Sequence, residues 1–366
     1  MLYNRRLWLH KSLITLAGTA LSTDIIARTT PAFSPSAGAI LLNSNENPYG
    51  PSPLAQKAML QHYLTSNRYP DDYLLLLKKK IADHWNVSLE NILLGAGSSE
   101  IIGLTCLLVS QTKKKVITAE PGYKVWNGQG ESFGLEFERI PLTNERIVDL
   151  PAMQAAATDE TAMVYICNPN NPTGTFTTVN KLSNFAKEVS KKTMVFIDEA
   201  YTEYANLESM AALVITNPNI VVAKTFSKVY GLAGARVGYA IAHPDTIAKL
   251  ATLQPWSDGA VSIVSAAAAM ASLDDSSYVK DILAKTAQAR TMCNETFHQL
   301  GLEYIPSNTN FILFNIDSIK KDCIKEMEAR NILVQSRNHF NGKWCRVSMG
   351  TVAEMKIFCG ALKEIV

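Results

Sequence analysis

One lysine stands in a segment whose neighbours can hold a phosphorylated ligand. Lys228 lies within residues 225–236, TFSKVYGLAGAR, among hydroxyl-bearing and small residues. A lysine amine whose pKa is lowered by desolvation or by a neighbouring cation can form a Schiff base with an aldehyde. Thr225, Ser227 and Arg236 supply donors suited to a phosphate. The segment therefore predicts an enzyme that holds a phosphorylated aldehyde cofactor on Lys228, and a surface turn rich in glycine and lysine is the plainer alternative.

A carboxylate follows a buried strand upstream of this lysine. Residues 194–201 read MVFIDEAY, an unbroken apolar run that ends in Asp198. Ligands of open α/β sheets bind at the carboxyl ends of parallel strands. There Asp198 can pair with a protonated pyridine nitrogen, which keeps the ring able to accept electrons, and Tyr201 can reach a phenolic oxygen on the ring. A metal site or a helix cap would also explain an Asp-Glu pair.

A second strand runs into a rigid loop of amides. Residues 163–174 read MVYICNPNNPTG, and the flanking prolines restrict the backbone around Asn171. We expect Asn171 to face the cofactor oxygen, although Asn-Pro sequences also form ordinary turns. Tyr123, in another loop, is suited to stacking on a flat ring, as well as to plain packing.

A predicted helix start offers a further phosphate contact. The apolar helix expected from about Ser98 is preceded by small residues, so the backbone N–H groups of Gly97, Ser98 and Ser99 and the helix dipole would face an anion. An ordinary N-cap is the alternative. Gly231 and Gly234 are expected to let the backbone approach the ligand closely, because glycine has no Cβ.

Taken in order, these motifs resemble those of histidinol-phosphate aminotransferases, which are fold-type I pyridoxal-phosphate enzymes. The resemblance runs from about residue 40 to the C-terminus and rests on residues 45–51, 67–70, 97–100, 121–123, 168–174, 198–201, 227–236 and 345–351. It implies an α/β fold, with a large domain built on a mainly parallel sheet and a smaller α+β domain.

The resemblance also implies roles for single residues. Lys228 would be the aldimine lysine and Asp198 the pyridine partner, while the ring oxygen would be bound by Tyr201 and Asn171. The phosphate would be held by Ser98, Ser99, Thr225, Ser227 and Arg236, with Tyr123 stacked on the ring. Tyr69 would reach the phosphate of a neighbouring subunit, which implies a homodimer with shared active sites. Arg346 would bind the substrate α-carboxylate through a bidentate pair, with Asn47 and Arg337 as further substrate contacts.

The composition agrees with a large enzyme and gives no indication of a nucleic-acid-binding protein or a zinc protein. The chain has 366 residues, 47% hydrophobic and 19% charged, and its net charge of +2 gives no indication of nucleic-acid binding. Its six cysteines form no Cys-x-x-Cys pair and its six histidines are too scattered to predict a zinc site.

We expect a leader at 1–37, an arm and part of the small domain at 38–62, the large domain at 63–253 and the small domain at 254–366. The strands of the large domain are predicted at 116–119, 163–166, 195–197, 220–223 and 239–242, and the small domain is predicted to begin with one long helix from about 261.

The predicted reaction is transamination between an amino acid, or histidinol phosphate, and a 2-oxo acid. Histidinol-phosphate enzymes commonly place an arginine near position 335 to meet the substrate phosphate, whereas this chain has Gln335, with Arg337 slightly displaced. An unphosphorylated amino acid is therefore an alternative substrate. A lyase resembling threonine-phosphate decarboxylase and a non-catalytic protein that binds pyridoxal phosphate are the rival functions.

The N-terminal residues resemble an export signal. Arg5 and Arg6 precede a short apolar run at 12–21 and then a stretch of small residues, which is the order of a twin-arginine signal. The apolar run is too short for a stable membrane span. A periplasmic enzyme is predicted, with a retained leader and a cytoplasmic enzyme as the alternative.

Replacing Arg5 and Arg6 by lysine tests this prediction. If the leader is a twin-arginine signal, the unchanged protein is exported and loses roughly its first 25 to 35 residues, whereas the double variant stays inside the cell. Cell fractionation and N-terminal sequencing measure both results. An unchanged distribution of the double variant would show that the leader has another role.

Overall fold

The computed structural model describes residues 38–366, so the predicted leader lies outside the described residues. Its largest element is a seven-stranded sheet in the order β2-β8-β7-β6-β5-β3-β4. The strands are Ile92–Gly95 (β2), Lys115–Glu120 (β3), Glu136–Pro141 (β4), Thr161–Cys167 (β5), Met194–Asp198 (β6), Ile220–Thr225 (β7) and Gly238–Ala242 (β8). Strands β3 to β7 run parallel, and β8 is antiparallel to both of its neighbours. The predicted mainly parallel sheet is confirmed.

The central strands are apolar on both sides because both faces of the sheet are covered. Every residue of β5 and β7 is buried. Alternate side chains enter two separate clusters, with Val195 and Ile197 in one and Phe196 in the other. A strand buried on two faces reads as a continuous hydrophobic run, which is the pattern that predicted these strands.

Helices cover the two faces of the large sheet, and three near the C-terminus pack wholly or partly against the smaller sheet described below. The helices are Pro53–His62 (α1), Asp71–Trp85 (α2), Ser98–Ser110 (α3), Asn127–Ser132 (α4), Leu150–Ala156 (α5), Val179–Val189 (α6), Pro244–Ala251 (α7), Ile263–Asp274 (α8), Ser276–Gln299 (α9), Cys323–Glu328 (α10) and Val352–Ile365 (α11). None of these helices is both long and apolar enough to cross a membrane.

One predicted helix is divided in two. The single helix expected from about residue 261 is interrupted between α8 and α9 by Asp275, which has φ −101° and ψ 62°. The Asp275 carboxylate accepts a hydrogen bond from the Tyr278 backbone N–H at 3.1 Å and so caps α9. The side-chain cap stabilises a helix start that apolar periodicity alone does not reveal.

A smaller antiparallel sheet carries the C-terminal part of the site. Its strands are Tyr304–Ile305 (β9), Phe311–Asn315 (β10), Gln335–His339 (β12) and Gly342–Ser348 (β13), in the order β12-β13-β10-β9. Ile40–Leu41 (β1) pairs in parallel with Ile332–Leu333 (β11). The α1 helix packs against α8, and Ala55 of α1 belongs to a cluster beside the large sheet. The division of the chain into the four predicted segments stays a prediction.

A glycine lets the segment after β1 approach the lysine loop. Gly231 has φ +70°, and a Cβ there would collide with the carbonyl group of Gly50. A Cβ on Gly234 would meet open space. We call residues 43–50 the N-terminal arm. Gly231 therefore lets this arm come close to the lysine loop, and the expected role of Gly231 and Gly234 beside a ligand stays a prediction.

Candidate active site

A cavity of about 670 Å³ lies at the carboxyl edge of the large sheet. Adjacent strands β5, β6 and β7 end there, with Cys167 opposite Asp198 in the register. The N-terminal arm and β12 and β13 form other parts of the wall. The cavity brings together twelve residues that the sequence predicted: Ser98, Ser99, Tyr123, Asn171, Asp198, Tyr201, Thr225, Ser227, Lys228, Arg236, Arg337 and Arg346.

Three other predicted residues lie outside this lining. Gly97 is directly behind it, against Arg236. Asn47 is buried, and its amide donates to the Val229 carbonyl oxygen at 2.9 Å, so it anchors the N-terminal arm beside the lysine loop instead of facing the cavity. Tyr69 is 82% exposed and lies edge-on to Trp256 at 5.3 Å between ring centroids.

The environment of Lys228 lowers the pKa of its amine. Burial and the Arg346 guanidinium lower its pKa to about 8, against the opposing effect of the Glu46 and Asp198 carboxylates. The Lys228 Nζ lies 5.6 Å from the centroid of the Tyr201 ring. A lysine in these surroundings is a nucleophile and a base near neutral pH.

The Asp198 carboxylate is buried and oriented by two donors. Its Oδ2 accepts from the Tyr165 hydroxyl at 2.8 Å and its Oδ1 accepts from the Ala200 N–H at 3.1 Å. Burial raises the pKa of Asp198, while the two hydrogen bonds and the Lys228 charge lower it. A carboxylate kept out of water in this way is suited to a cationic ligand atom.

Hydroxyls, a helix N-terminus and a guanidinium form one end of the cavity, which we call the anion cradle: Ser98, Ser99, Thr225, Ser227 and Arg236. The α3 helix begins there at Ser98. The Thr225 hydroxyl donates to the Ser227 Oγ at 2.8 Å, and the Tyr123 hydroxyl contacts Ser99. Arg236 bonds only to the carbonyl oxygens of Ala233 and Ala96, both at 3.0 Å. Its charge is not neutralised by any acid of the described chain, so the cradle suits a phosphate.

Gly97 gives the arginine room. It has φ +79°, and a Cβ there would lie 2.6 Å from the Arg236 Nη2. Such a separation is far below van der Waals contact, so only glycine allows this arginine to lie against the start of α3.

A row of hydrogen bonds connects the Tyr201 hydroxyl to Arg346. The Tyr201 hydroxyl accepts from the amides of Asn45 at 3.1 Å and Asn171 at 3.3 Å. Asn171 in turn accepts from the Arg346 Nη1 at 2.9 Å, and the Arg346 Nη2 donates to the Asn43 carbonyl oxygen at 2.9 Å. The buried Nε of Arg346 has no partner among residues 38–366, and burial lowers the pKa of this guanidinium to about 10. An anionic ligand would satisfy it.

Three alternate side chains of β12 reach the far wall of the cavity. Gln335 lies opposite Arg346 in the register, and its buried Oε1 has no partner in the part of the chain that the structure describes. The Arg337 guanidinium makes one long hydrogen bond, 3.4 Å to the Ser336 carbonyl oxygen. Burial and the Lys124 charge lower the pKa of His339 to about 4, so this imidazole is neutral at pH 7. Arg337 is therefore the cation of this wall that remains available to a substrate.

Sequence reasoning missed two residues of the site. Asn45 belongs to the motif at residues 45–51, but within that motif Asn47 is the residue predicted to contact the substrate. Tyr165 lies within a strand that appeared to be purely structural. A tyrosine in a fully buried strand needs an acceptor for its hydroxyl, and that requirement was the available signal.

Comparisons with known proteins agree with this geometry. Residues 37–362 match the family profile described as aminotransferase class I and II. A histidinol-phosphate aminotransferase of Symbiobacterium thermophilum is 35% identical over 327 residues, which cover 88% of this chain and 90% of the relative. One of Moorella thermoacetica is 33% identical, covering 89% and 85%. The crystal structure of histidinol-phosphate aminotransferase from Sinorhizobium meliloti in complex with pyridoxal-5'-phosphate has 30% identity and a TM-score of 0.82, covering 89% of this chain and 90% of that one.

Gly97→Ala tests the anion cradle. The added methyl group would displace the Arg236 guanidinium, so we expect the Kd of the apoprotein for pyridoxal phosphate to rise about ten- to hundredfold, the effect of one charged hydrogen bond. The Kd for unphosphorylated pyridoxal should change much less. Gly301→Ala, at a glycine with φ +64° where a Cβ meets open space, is the matched control for backbone strain. Equal losses for both ligands would mean that Gly97 has no specific role towards the phosphate.

Proposed function

Because this chain belongs to the class I and II aminotransferases, we propose that Lys228 is the lysine through which it uses pyridoxal phosphate to transfer amino groups between α-amino acids and 2-oxo acids. The observation that carries the proposal is the Lys228 amine, with its lowered pKa, in the same cavity as the buried Asp198 carboxylate and the anion cradle. The protein is a pyridoxal-phosphate-dependent aminotransferase. The roles of its residues are the proposal.

The residues present fit this cofactor. The anion cradle would hold the phosphate, with Arg236 admitted by Gly97. Asp198 would face the ring nitrogen, and Tyr201 and Asn171 would bind the ring oxygen. Tyr123 lines the same cavity and would lie against the ring. When bound, pyridoxal phosphate supplies an aldehyde that condenses with amines and a ring that accepts electrons from the carbon next to the nitrogen.

The Nζ atom of Lys228 then has two roles. With a pKa of about 8, about one Lys228 amine in ten is neutral at pH 7, compared with about one in 3,000 for an ordinary lysine. The neutral Nζ would be the atom that holds the cofactor aldehyde, whose oxygen would leave as water, and when a substrate amine takes its place the same atom would hold the proton removed from the substrate Cα. Burial by the surrounding walls lowers the pKa of the amine and so raises its neutral fraction.

Arg346 supports an α-carboxylate as the substrate's binding group. Two of its five N–H groups are used by Asn171 and Asn43, and the buried Nε is unpartnered. A carboxylate can accept two hydrogen bonds from one guanidinium. Because Asn171 bonds to both Arg346 and Tyr201, substrate binding would be linked to the ring-oxygen contacts.

The curated relatives act, by their names, on histidinol phosphate, which has no carboxylate. Gln335 stands in this chain where those enzymes are expected to carry an arginine, and Arg337 is the remaining cation of that wall. We therefore propose amino acids, aromatic ones or glutamate, as better amino donors than histidinol phosphate. Histidinol phosphate, with Arg337 at its phosphate, is the second candidate and has the names of the relatives in its favour. The decarboxylase function has less support, since the curated relatives described above are aminotransferases, and a non-catalytic protein would need neither Lys228 nor Asp198.

We also propose that two copies of the chain form a dimer. Apolar side chains are exposed along α1, α2 and the turn that joins them, and they include Leu60, Leu64, Leu75 and Tyr69. Tyr69 lies outside the cavity of its own chain, as expected of a residue that contributes to the site of a second subunit. An exposed apolar face that carries a predicted site residue fits a second copy of this chain.

Kinetics with four amino donors test the substrate proposal. We expect kcat/KM to be higher for phenylalanine, tyrosine or glutamate than for histidinol phosphate. Arg346→Ala should lower kcat/KM for the amino acids about ten- to hundredfold, mostly through KM, because a charged hydrogen-bonded pair is worth about 1.5 to 3 kcal/mol. Arg330→Ala, at an ion pair with Glu326, is the control. A hundredfold preference for histidinol phosphate that disappears in Arg337→Ala would establish the second candidate instead.

Light scattering tests the dimer. The wild-type protein should have twice the mass of one chain, and the double variant Leu60→Arg with Leu64→Arg should shift towards one chain, because two charges would be buried at the interface. Ile357→Arg, at an equally exposed apolar position of α11, should leave the mass unchanged. A wild-type protein with the mass of a single chain would contradict the proposal.

A further inference from the structure

The hydroxyl group of Tyr165 contacts the buried carboxylate of Asp198. Tyr165 lies in β5 and is 1% exposed. In the parallel register of β5 and β6, Cys167 is opposite Asp198, and Tyr165 is two residues earlier on the same face as Cys167. Its hydroxyl donates to the Asp198 Oδ2 at 2.8 Å. The remaining protein hydrogen bond to this carboxylate comes from the Ala200 N–H to Oδ1.

Packing holds the Tyr165 ring in place. It stacks on Phe196 with 5.6 Å between centroids and an interplanar angle of 20°, and the Trp126 ring lies at 4.6 Å on a tilted approach. Both partners are almost fully buried. The hydroxyl therefore cannot turn away without breaking aromatic contacts, and its bond to Asp198 is preorganised.

Such a donor stabilises the charged carboxylate more than the neutral acid. Burial raises the pKa of Asp198, and the hydrogen bond from Tyr165 is the largest effect that lowers it. Without the hydroxyl, Asp198 would be a stronger base and would compete better for a proton shared with a neighbouring nitrogen.

We propose that Tyr165 is a positioning residue that keeps the Asp198 carboxylate ionised and correctly turned, so that the proton between Asp198 and the cofactor ring stays on the ring nitrogen. This inference rests on the proposed function, in which Asp198 faces that nitrogen. The residue acts through Asp198 and touches neither the substrate nor the cofactor.

The ¹⁵N chemical shift of ring-labelled pyridoxal phosphate bound to the protein tests the proposal. In the wild type the shift should be that of a protonated pyridine, and in Tyr165→Phe it should move towards that of the neutral ring. We expect kcat to fall about tenfold or more in Tyr165→Phe, with KM little changed. Tyr239→Phe is the matched control, because Tyr239 is equally buried and its hydroxyl instead accepts from the Trp85 Nε1 at 2.8 Å.

The outcomes separate this inference from the function it rests on. A wild-type ring nitrogen that is unprotonated would refute the role of Asp198 itself. A protonated wild type with an unchanged shift in Tyr165→Phe would overturn only the role of Tyr165, even if activity falls. If Tyr165→Phe does not retain cofactor, 4-aminophenylalanine at position 165 replaces it. As a weaker donor of similar shape it should move the shift towards that of the neutral ring, and an unchanged shift would contradict the proposal.

Discussion

The exclusion of water from the Lys228 amine is the constraint on which the site depends. An amine on the protein surface would be charged at neutral pH and unable to act as a nucleophile. The pKa of Lys228 falls to about 8 because burial and the Arg346 guanidinium outweigh the nearby carboxylates, so a useful fraction of the amine is neutral near pH 7. The walls that achieve this come from distant parts of the chain, namely the N-terminal arm, the sheet edge and β13.

A second lysine shows that burial alone does not decide the outcome. Lys224, near the end of β7 and just before the loop that carries Lys228, is also buried, but its Nζ lies 2.9 Å from a Glu203 oxygen and 3.3 Å from a Glu199 oxygen. These carboxylates raise its pKa despite desolvation. Lys224 therefore stays charged, at the carboxyl edge of the large sheet. The pKa values of two lysines four positions apart are shifted in opposite directions because one has acidic partners and the other faces a cavity.

Attachment of the N-terminal arm is a further consequence of the same constraint. Asn47 ties the arm to the backbone beside Lys228, and Gly231 allows the arm to come close. With the arm in place, Asn45 reaches the Tyr201 hydroxyl and Asn43 reaches Arg346. The arm therefore connects the lysine loop to the substrate-binding arginine.

Local sequence predicted the sheet and most of the cavity lining, because buried parallel strands are continuous apolar runs and their carboxyl ends meet at one edge. The sequence could not predict contacts set by long-range packing. Whether Asn45 or Asn47 faces the cavity depends on how the arm crosses β13, some 300 residues away. The bond from Tyr165 to Asp198 depends on the register of two strands, and the break at Asp275 depends on a side-chain cap that apolar periodicity does not record.

Peptide mapping after borohydride reduction tests the central claim most directly. The protein loaded with pyridoxal phosphate is reduced, digested and analysed by mass spectrometry. The account predicts that the cofactor is fixed to Lys228 and that Lys224 is unmodified, because the Lys228 amine faces the cavity with a lowered pKa whereas Lys224 is paired with two carboxylates. Cofactor fixed to Lys224, or to any lysine outside the cavity, would contradict the account.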